Sequence, residues 1–408
     1  MITLALGRLE VDWGKNEFFS HHGHIFQATD LKDVPSYYAA SDDDDDDEVL
    51  CEPRKGFGKP LRYIRDRLQL LGHTPRTAKH TYESLHKFHG LEESPLPFDE
   101  LASALAQIDV NAVSGKYGSD YDPGEFARVE ILDRLKKHTE ISIDKFSPDH
   151  WEIDLLLENF APYPSLILLA QNPANLDLDV VWQFEDLVES GWAPESDFKA
   201  GTNESDKFLI VTEGSSDAKI IEHAIRLLRP HLLDFFRFID MDEGYPFSGT
   251  GNLHRFAQGL VSIGVQNKTL IIYDNDAEGC AKLDATQRLN LPVNMRAIRL
   301  PDWSGLADMP TVGPDGPARS DLGGRAASIE CYLDLNTKLT PAPLIRWSSY
   351  VQENSCYQGA LEQKGAHKKA FLDLRSINSN YDFSGMEKVL EAIIRECEFI
   401  AEVMMLDL

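Results

Sequence analysis

Positive charge is scarce in this 408-residue chain: 40 lysines and arginines stand against 67 aspartates and glutamates, a formal net charge of -27 at pH 7. Non-specific affinity for a polyanion comes largely from Lys and Arg releasing counterions, so the deficit excludes a general nucleic-acid coat protein. A nucleic-acid enzyme of this composition must concentrate its positive charge locally. Long apolar runs are also missing. No stretch reaches the roughly 18 residues that a membrane-crossing helix needs, and the opening MITLALGRLEVDW has no basic segment followed by a sustained apolar one. The expectation is a cytoplasmic protein with no membrane partner. Cysteine is sparse: Cys51, Cys280, Cys331, Cys356 and Cys397 are scattered, with no CxxC pair and no histidines at zinc-finger spacing. They read as reduced thiols, mostly structural. The phosphate-binding pattern GxxxxGK followed by Ser or Thr is absent too, which removes a recognisable ATPase.

What is present is ordinary for a folded protein: 42% hydrophobic and 26% charged residues, in a chain long enough for two or three cored domains. Much of the acid is local. Asp42 to Glu48 is an unbroken anionic run just before the basic stretch Arg54, Lys55, Lys59, Arg62, Arg65 and Arg67. The plain reading is a solvated loop beside a charged helix face; the sharper one is an acidic flap seated in a basic groove. Histidines at 21, 22 and 24 and at 80, 86 and 89 lack partners at diagnostic spacing and read as loop or surface residues.

Residues 1–200 read as a mixed α/β unit. Leu61, Ile64, Leu68 and Leu71 mark one helix face ending at Gly72, Phe98 to Ile108 repeats the pattern, and a further helix is predicted over Gly124 to Lys137. Val180 to Val188 reads as another helix, and Pro194 to Asp206 as a linker. Beyond it, strands alternate with helices, the signature of parallel βαβ units. The predicted strands are Phe208 to Thr212, Phe235 to Met241, Thr269 to Tyr273 and Met295 to Leu300; the helices are Ser216 to Leu228, Leu253 to Ile263 and Ala277 to Leu289. Residues 336–408 read as mostly helical, with Met386 to Met405 the longest candidate.

Sites in open parallel sheets gather at the carboxyl ends of strands. Four acids fall there: Glu213 and Asp217 in VTEGSSD, Asp274 and Asp276 in IIYDNDAEG. The four-residue spacing puts Asp217 one helical turn beyond Glu213, so both can face one point above the sheet. Carboxylates that crowded raise one another's pKa, and the cluster makes sense with a divalent ion; oxygen ligands favour Mg²⁺ or Mn²⁺. An EF-hand loop beginning at Asp274 fails, because its twelfth position is Ala285 and a strand precedes it. A phosphatase-type DxDx(T/V) motif fails at Glu278. Capping of the helix at Ala277 is the surviving plain role for Asp276.

With VTEGSSD, IIYDNDAEG and the strand pattern between them on view, this third of the chain resembles the Toprim domain of topoisomerases, primases and nucleases. The Glu213/Asp217 spacing and the downstream SIECYLDL resemble the nuclease branch named for the overcoming-lysogenization-defect proteins. That resemblance implies Glu330 as a further metal ligand and a basic residue in GALEQKGAHKKAF, where Lys364 matches best beside Lys368 and Lys369. The stretches LGRLEVDWGKN and PLRYIRDRLQLLGHT resemble the domain found upstream of bacterial Toprim and HEPN effectors, the HEPN/Toprim-associated domain. HEPN ribonuclease chemistry is not expected. It needs four to six residues between Arg and His, whereas Arg76 to His80 and Arg134 to His138 enclose three.

The expected fold class is therefore α/β: a Toprim-type parallel sheet at 201–335, preceded by a mixed α/β sensor or regulatory domain at 1–200 and followed by a helical extension at 336–408. The expected activity is Mg²⁺- or Mn²⁺-dependent hydrolysis of DNA or RNA, tRNA included, by a regulated prokaryotic antiphage effector. Catalysis is assigned to Glu213, Asp274, Asp276 and Lys364, and metal binding to Glu213, Asp217, Asp274, Asp276 and Glu330. A regulatory or sensor protein and self-association are the other partners considered. Topoisomerase and primase readings stay open but lack a zinc ribbon and a strand-passage module. The alternative class is a catalytically silent Toprim-fold regulatory subunit.

Overall fold

A computed structural model describes residues 2–39, 49–90, 96–112, 159–239, 249–337, 340–352, 355–377 and 380–407. The acidic run Asp42 to Glu48, the helix expected at 124–137 with Arg134 and His138, and the last two residues of the strand expected at 235–241 lie outside them. Two compact units form, Met1–Asn203 with Met405–Leu408, and Glu204–Met404.

In the first unit, β1 (Ile2–Leu6), β2 (Leu9–Gly14), β3 (Leu31–Ala39), β4 (Val49–Pro60) and β5 (Asp179–Gln183) make an antiparallel sheet in the order β2-β1-β5-β4-β3. Segment 180–188, expected as a helix, is the central strand β5 over Val180 to Gln183 and helical only from Glu185. Val180, Val181 and Trp182 are buried and β5 pairs with β1 on one side and β4 on the other. A strand covered on both faces loses its alternation, so its apolar run is indistinguishable from a buried helix by periodicity. Only the short α5 (Glu185–Glu189) follows. Upstream, α1 (Leu61–Leu70) packs on the sheet through Leu61, Ile64 and Leu68, α4 (Pro162–Leu169) lies against it too, and α2 (Pro75–Phe88) and α3 (Phe98–Gln107) pack on α4.

Arg67 lies on the same buried face of α1 and is fully enclosed. Its guanidinium donates to the carbonyls of Ile25 (2.9 Å), His24 (3.0 Å) and Phe26 (3.1 Å), closing the histidine-bearing loop. Arg67→Met leaves those acceptors without their donor, so a loss of about 3–5 kcal/mol in urea unfolding is expected; a loss under 1 kcal/mol would show that the loop satisfies them otherwise. The remaining basic residues of that stretch each stand beside an acid of the same unit. Arg54 pairs with Glu189 (3.1 Å), Lys55 with Glu195 (2.5 Å), Lys59 with Asp30 (2.6 Å), Arg62 with Asp177 and Arg65 with Asp66 (2.9 Å). Their charge is already balanced by the unit's own acids. One member of the first histidine cluster departs from expectation: His22 is buried, bonded to Asp12 (2.8 Å) and the Tyr163 hydroxyl (2.8 Å), while His21 is exposed. These partners sit 10 and 141 residues away in sequence, which local spacing cannot reveal.

The second unit opens with β6 (Phe208–Thr212), α6 (Ser215–Leu228), β7 (Phe236–Phe238), α7 (Thr250–Ile263), β8 (Lys268–Tyr273), the two-residue β9 (Asn275–Asp276), α8 (Ala277–Gln287) and β10 (Met295–Arg299). The main sheet, β10-β8-β6-β7, is wholly parallel. Its inner strands are buried on both faces, consistent with helices on either side. Five more strands follow among the described residues: β11 (Met309–Gly313), β12 (Gly316–Ser320), β14 (Ile345–Val351) and β15 (Cys356–Leu361) form a second sheet, while β13 (Ala326–Ala327) pairs with β9. The chain ends in α9 (Lys364–Leu372) and α10 (Ser384–Leu406). The tail expected to be mostly helical thus contains the β14–β15 hairpin, whose exposed face carries Tyr350 and Tyr357. Half-exposed strands with a bulge give a weak period-2 signal, and this one was lost among the helical stretches around it. All five cysteines are free thiols. Among the described residues no helix is long and apolar enough to cross a membrane.

Candidate functional site

Parallel pairing of β6 with β8 sets Thr212 opposite Ile272, so the residues just past the two strands, Glu213 and Asp274, emerge side by side at the carboxyl edge. The Asp274 backbone N–H donates to Glu213 Oε1 (3.1 Å) and the Thr250 hydroxyl, from the start of α7, donates to Oε2 (3.0 Å). Thr250 was not singled out from sequence; the GTGN turn entering α7 marks its place. Asp217, in the first turn of α6, accepts from the Gly214 N–H through Oδ2 (3.1 Å).

Asp274 is followed at once by the β9 bridge, where Ala326 pairs with Asp276 and Ala327 with Asn275. This ladder carries the downstream chain to the acid corner and delivers Glu330, buried in a 3-10 turn over Ile329–Tyr332. The Ser328 hydroxyl donates to Glu330 Oε2 (2.9 Å), and the Lys364 ammonium lies 3.6 Å from the same oxygen. Lys364 opens α9; Lys369 is exposed on that helix. One turn on from Lys364, His367 is buried with neither ring nitrogen hydrogen-bonded, and it was not anticipated from sequence. Burial pulls its pKa down while Glu330 opposes that.

Asp276 performs the capping role. Its Oδ1 accepts from the Gly279 N–H (2.7 Å) at the start of α8, and Oδ2 accepts from Gln358 Nε2. Asn275, fully buried between the aspartates, turns its side chain away from them toward Asp302 (3.1 Å) and the Gly324 N–H (2.7 Å). Gly279 is required here: a Cβ would stand 2.2 Å from the Asp274 carbonyl oxygen, so no larger residue lets α8 start this close to β8.

The electrostatics are those of acids short of positive charge. Burial, with the charges of Asp276 and Glu278, pushes Glu213 up to about 7 against the opposing hydrogen bonds from Asp274 and Thr250. Burial, then the charges of Glu330 and Glu213, push Asp217 up to about 7. Asp274 stands well above the usual carboxylate range, through burial and the charges of Asp217, Glu213 and Asp276. Burial pulls Lys364 down, but Glu330 and Asp274 outweigh it and hold its ammonium above the usual lysine range. A divalent cation would relieve this frustration, and an all-oxygen donor set suits Mg²⁺ or Mn²⁺. Among the described residues, no three of His, Cys, Asp and Glu close on one point as ligands; several of these carboxylates are turned to hydrogen-bond donors of the protein instead.

Fold and site together define an α/β protein with a buried acid cluster and one lysine at the carboxyl edge of a parallel sheet. The chain belongs to the HEPN/Toprim N-terminal domain 1 family, which matches residues 1–206. No curated protein and no solved structure matches it.

Proposed function

We propose that the second unit is a Toprim-type, divalent-metal-dependent nuclease acting on DNA or RNA, tRNA included, and that the first unit is its sensor or regulatory domain in a prokaryotic antiphage effector. The observation that carries this reading is one buried corner in which the charges of Glu330 and Glu213 raise Asp217 and those of Asp217 and Glu213 raise Asp274, with Lys364 beside Glu330. Membership of a family defined as an N-terminal domain of HEPN and Toprim proteins supports it. Glu213, Asp217, Asp274, Asp276 and Glu330 would hold Mg²⁺ or Mn²⁺. When bound, the ion would supply Lewis acidity toward a phosphodiester. The chain's own part is to orient the substrate phosphate at the sheet edge and to hold the Lys364 ammonium where negative charge develops.

Purified protein incubated with plasmid DNA, single-stranded DNA and total RNA in Mg²⁺, Mn²⁺ or EDTA tests the reading. Cleavage of at least one substrate, abolished by EDTA, is expected. The second reading, a catalytically silent regulatory subunit, draws on the hydrogen bonds that already engage Asp217 and Asp276. Metal binding without cleavage of any substrate would favour it.

The raised acids also predict a stability signature independent of activity. A carboxyl whose folded pKa exceeds its unfolded value contributes stability that is complete below about pH 4 and is lost as pH climbs through the folded value, about 7 for Glu213 and Asp217. In EDTA, the unfolding temperature should therefore fall by several degrees between about pH 5.5 and pH 8. Mg²⁺ should flatten that slope by compensating the ionised forms. Glu213→Gln flattens it without metal, which separates the site from the general repulsion of an acidic chain. An identical slope in that variant and in the wild type would remove Glu213 as its source.

A further inference from the structure

The carboxamide of Gln358 makes three hydrogen bonds at the acid corner, from a strand 82 residues downstream of Asp276. Its Oε1 accepts from the Ala277 N–H (2.8 Å) and the Glu278 N–H (3.2 Å), and its Nε2 donates to Asp276 Oδ2. A helix start needs one carboxylate oxygen for its cap, and Asp276 Oδ1 already supplies that to Gly279. The outer oxygen of an N-cap aspartate is otherwise free to swing in solvent. The first amides of a helix are ordinarily left to water.

Here the strand carrying Gln358 is locked against the corner. The Gly359 N–H donates to the Arg325 carbonyl (3.2 Å), and a Cβ at Gly359 would stand 2.8 Å from the Trp347 ring and 3.0 Å from Ala326. Arg325 in turn bridges to Asp276, and Ala326 pairs with it. So close an approach of the Gly359 backbone to the Trp347 and Ala326 side chains holds the strand, and Gln358 with it, against the corner.

We propose that Gln358 is a positioning residue for the metal site: it fixes the Asp276 carboxylate in one orientation, leaving the remaining lone pair of Oδ2 to face the cation. This rests on the divalent-metal reading of the acids. A carboxylate oxygen accepts two partners, so the amide hydrogen bond and a cation can share Oδ2. Hydrogen-bond partners of ligating carboxylates typically govern metal affinity by about 10–100-fold.

Gln358→Leu is the first variant: it keeps the bulk of the side chain, adds no charge and removes all three bonds. Gln358→Ala is the second variant and removes the bulk as well. Mn²⁺ binding is measured by calorimetry on the full chain, with folding checked by circular dichroism. Both variants should bind Mn²⁺ about 10–100-fold more weakly. Asp276→Asn keeps the cap to Gly279 while losing the charged ligand, and Gln358→Ala added to it should change affinity no further. Affinity within twofold of wild type in Gln358→Leu, or an equal loss from Gln358→Ala in the wild-type and Asp276→Asn backgrounds, overturns the proposal and leaves Gln358 a purely structural contact. Wild-type protein that takes up no Mn²⁺ at all would instead remove the metal reading itself, and the positioning role with it.

Discussion

Glu213→Ala and Asp274→Ala should each abolish cleavage while the second unit stays folded. Each carboxylate stands directly past the end of a central strand, where no neighbour can take over its place. The expected loss is at least about 10³-fold in turnover, the scale on which removal of a group acting on the reacting centre is felt. Folding should survive, because losing a buried carboxyl removes a cost of burial. Glu213 adds a second readout. Its two oxygens tie Asp274 of one crossover to Thr250 of another, so Glu213→Gln should preserve both contacts in part and still lose activity. Single-turnover cleavage beside a thermal melt distinguishes these cases, and full activity in either alanine variant would dismiss the site assignment.

Lys364→Ala should lower turnover by about 10²–10³-fold and leave Mn²⁺ affinity unchanged or tighter. The direction of the second effect follows from charge: the ammonium now offsets Glu330 and Asp274, and deleting it leaves those acids a stronger claim on a cation. A positive group that acts on the developing charge of a transition state influences rate more than ground-state binding. Calorimetry with Mn²⁺ beside the cleavage assay tells the two apart. Weaker metal binding at unchanged turnover would make Lys364 a structural counter-ion of Glu330 and nothing more.

The strands and helices of the second unit were legible because their signals are local. Phe208 to Thr212 is found as read, and Ser216 to Leu228 begins one residue early, at Ser215. Parallel strands separated by amphipathic helices announce themselves by period, and each acid sits at a strand end that the period locates. The same method failed at Val180 to Gln183, where burial on both faces erased the period, and along 345–361, where an exposed, bulged hairpin produced too little of one. His22 and Arg67 were misread for a related reason. A polar residue next to other polar residues looks like surface until the fold supplies its partners, and here those are Asp12 and Tyr163 for one and three loop carbonyls for the other.

Sequence alone determined the chemistry available to this protein: an acidic chain, an α/β second half, acids placed at strand ends and a lysine in the tail. These follow from composition and from the short-range steric rules that link residue order to strand and helix. Only the tertiary structure decided which of those groups meet. The two-residue ladder between β9 and β13 delivers Glu330 to the corner, the second sheet brings Gln358 onto Asp276, and α9 sets Lys364 beside Glu330. Each of those contacts closes a loop of tens of residues, and its register is selected by packing of the whole unit, a condition that no local pattern in the chain encodes.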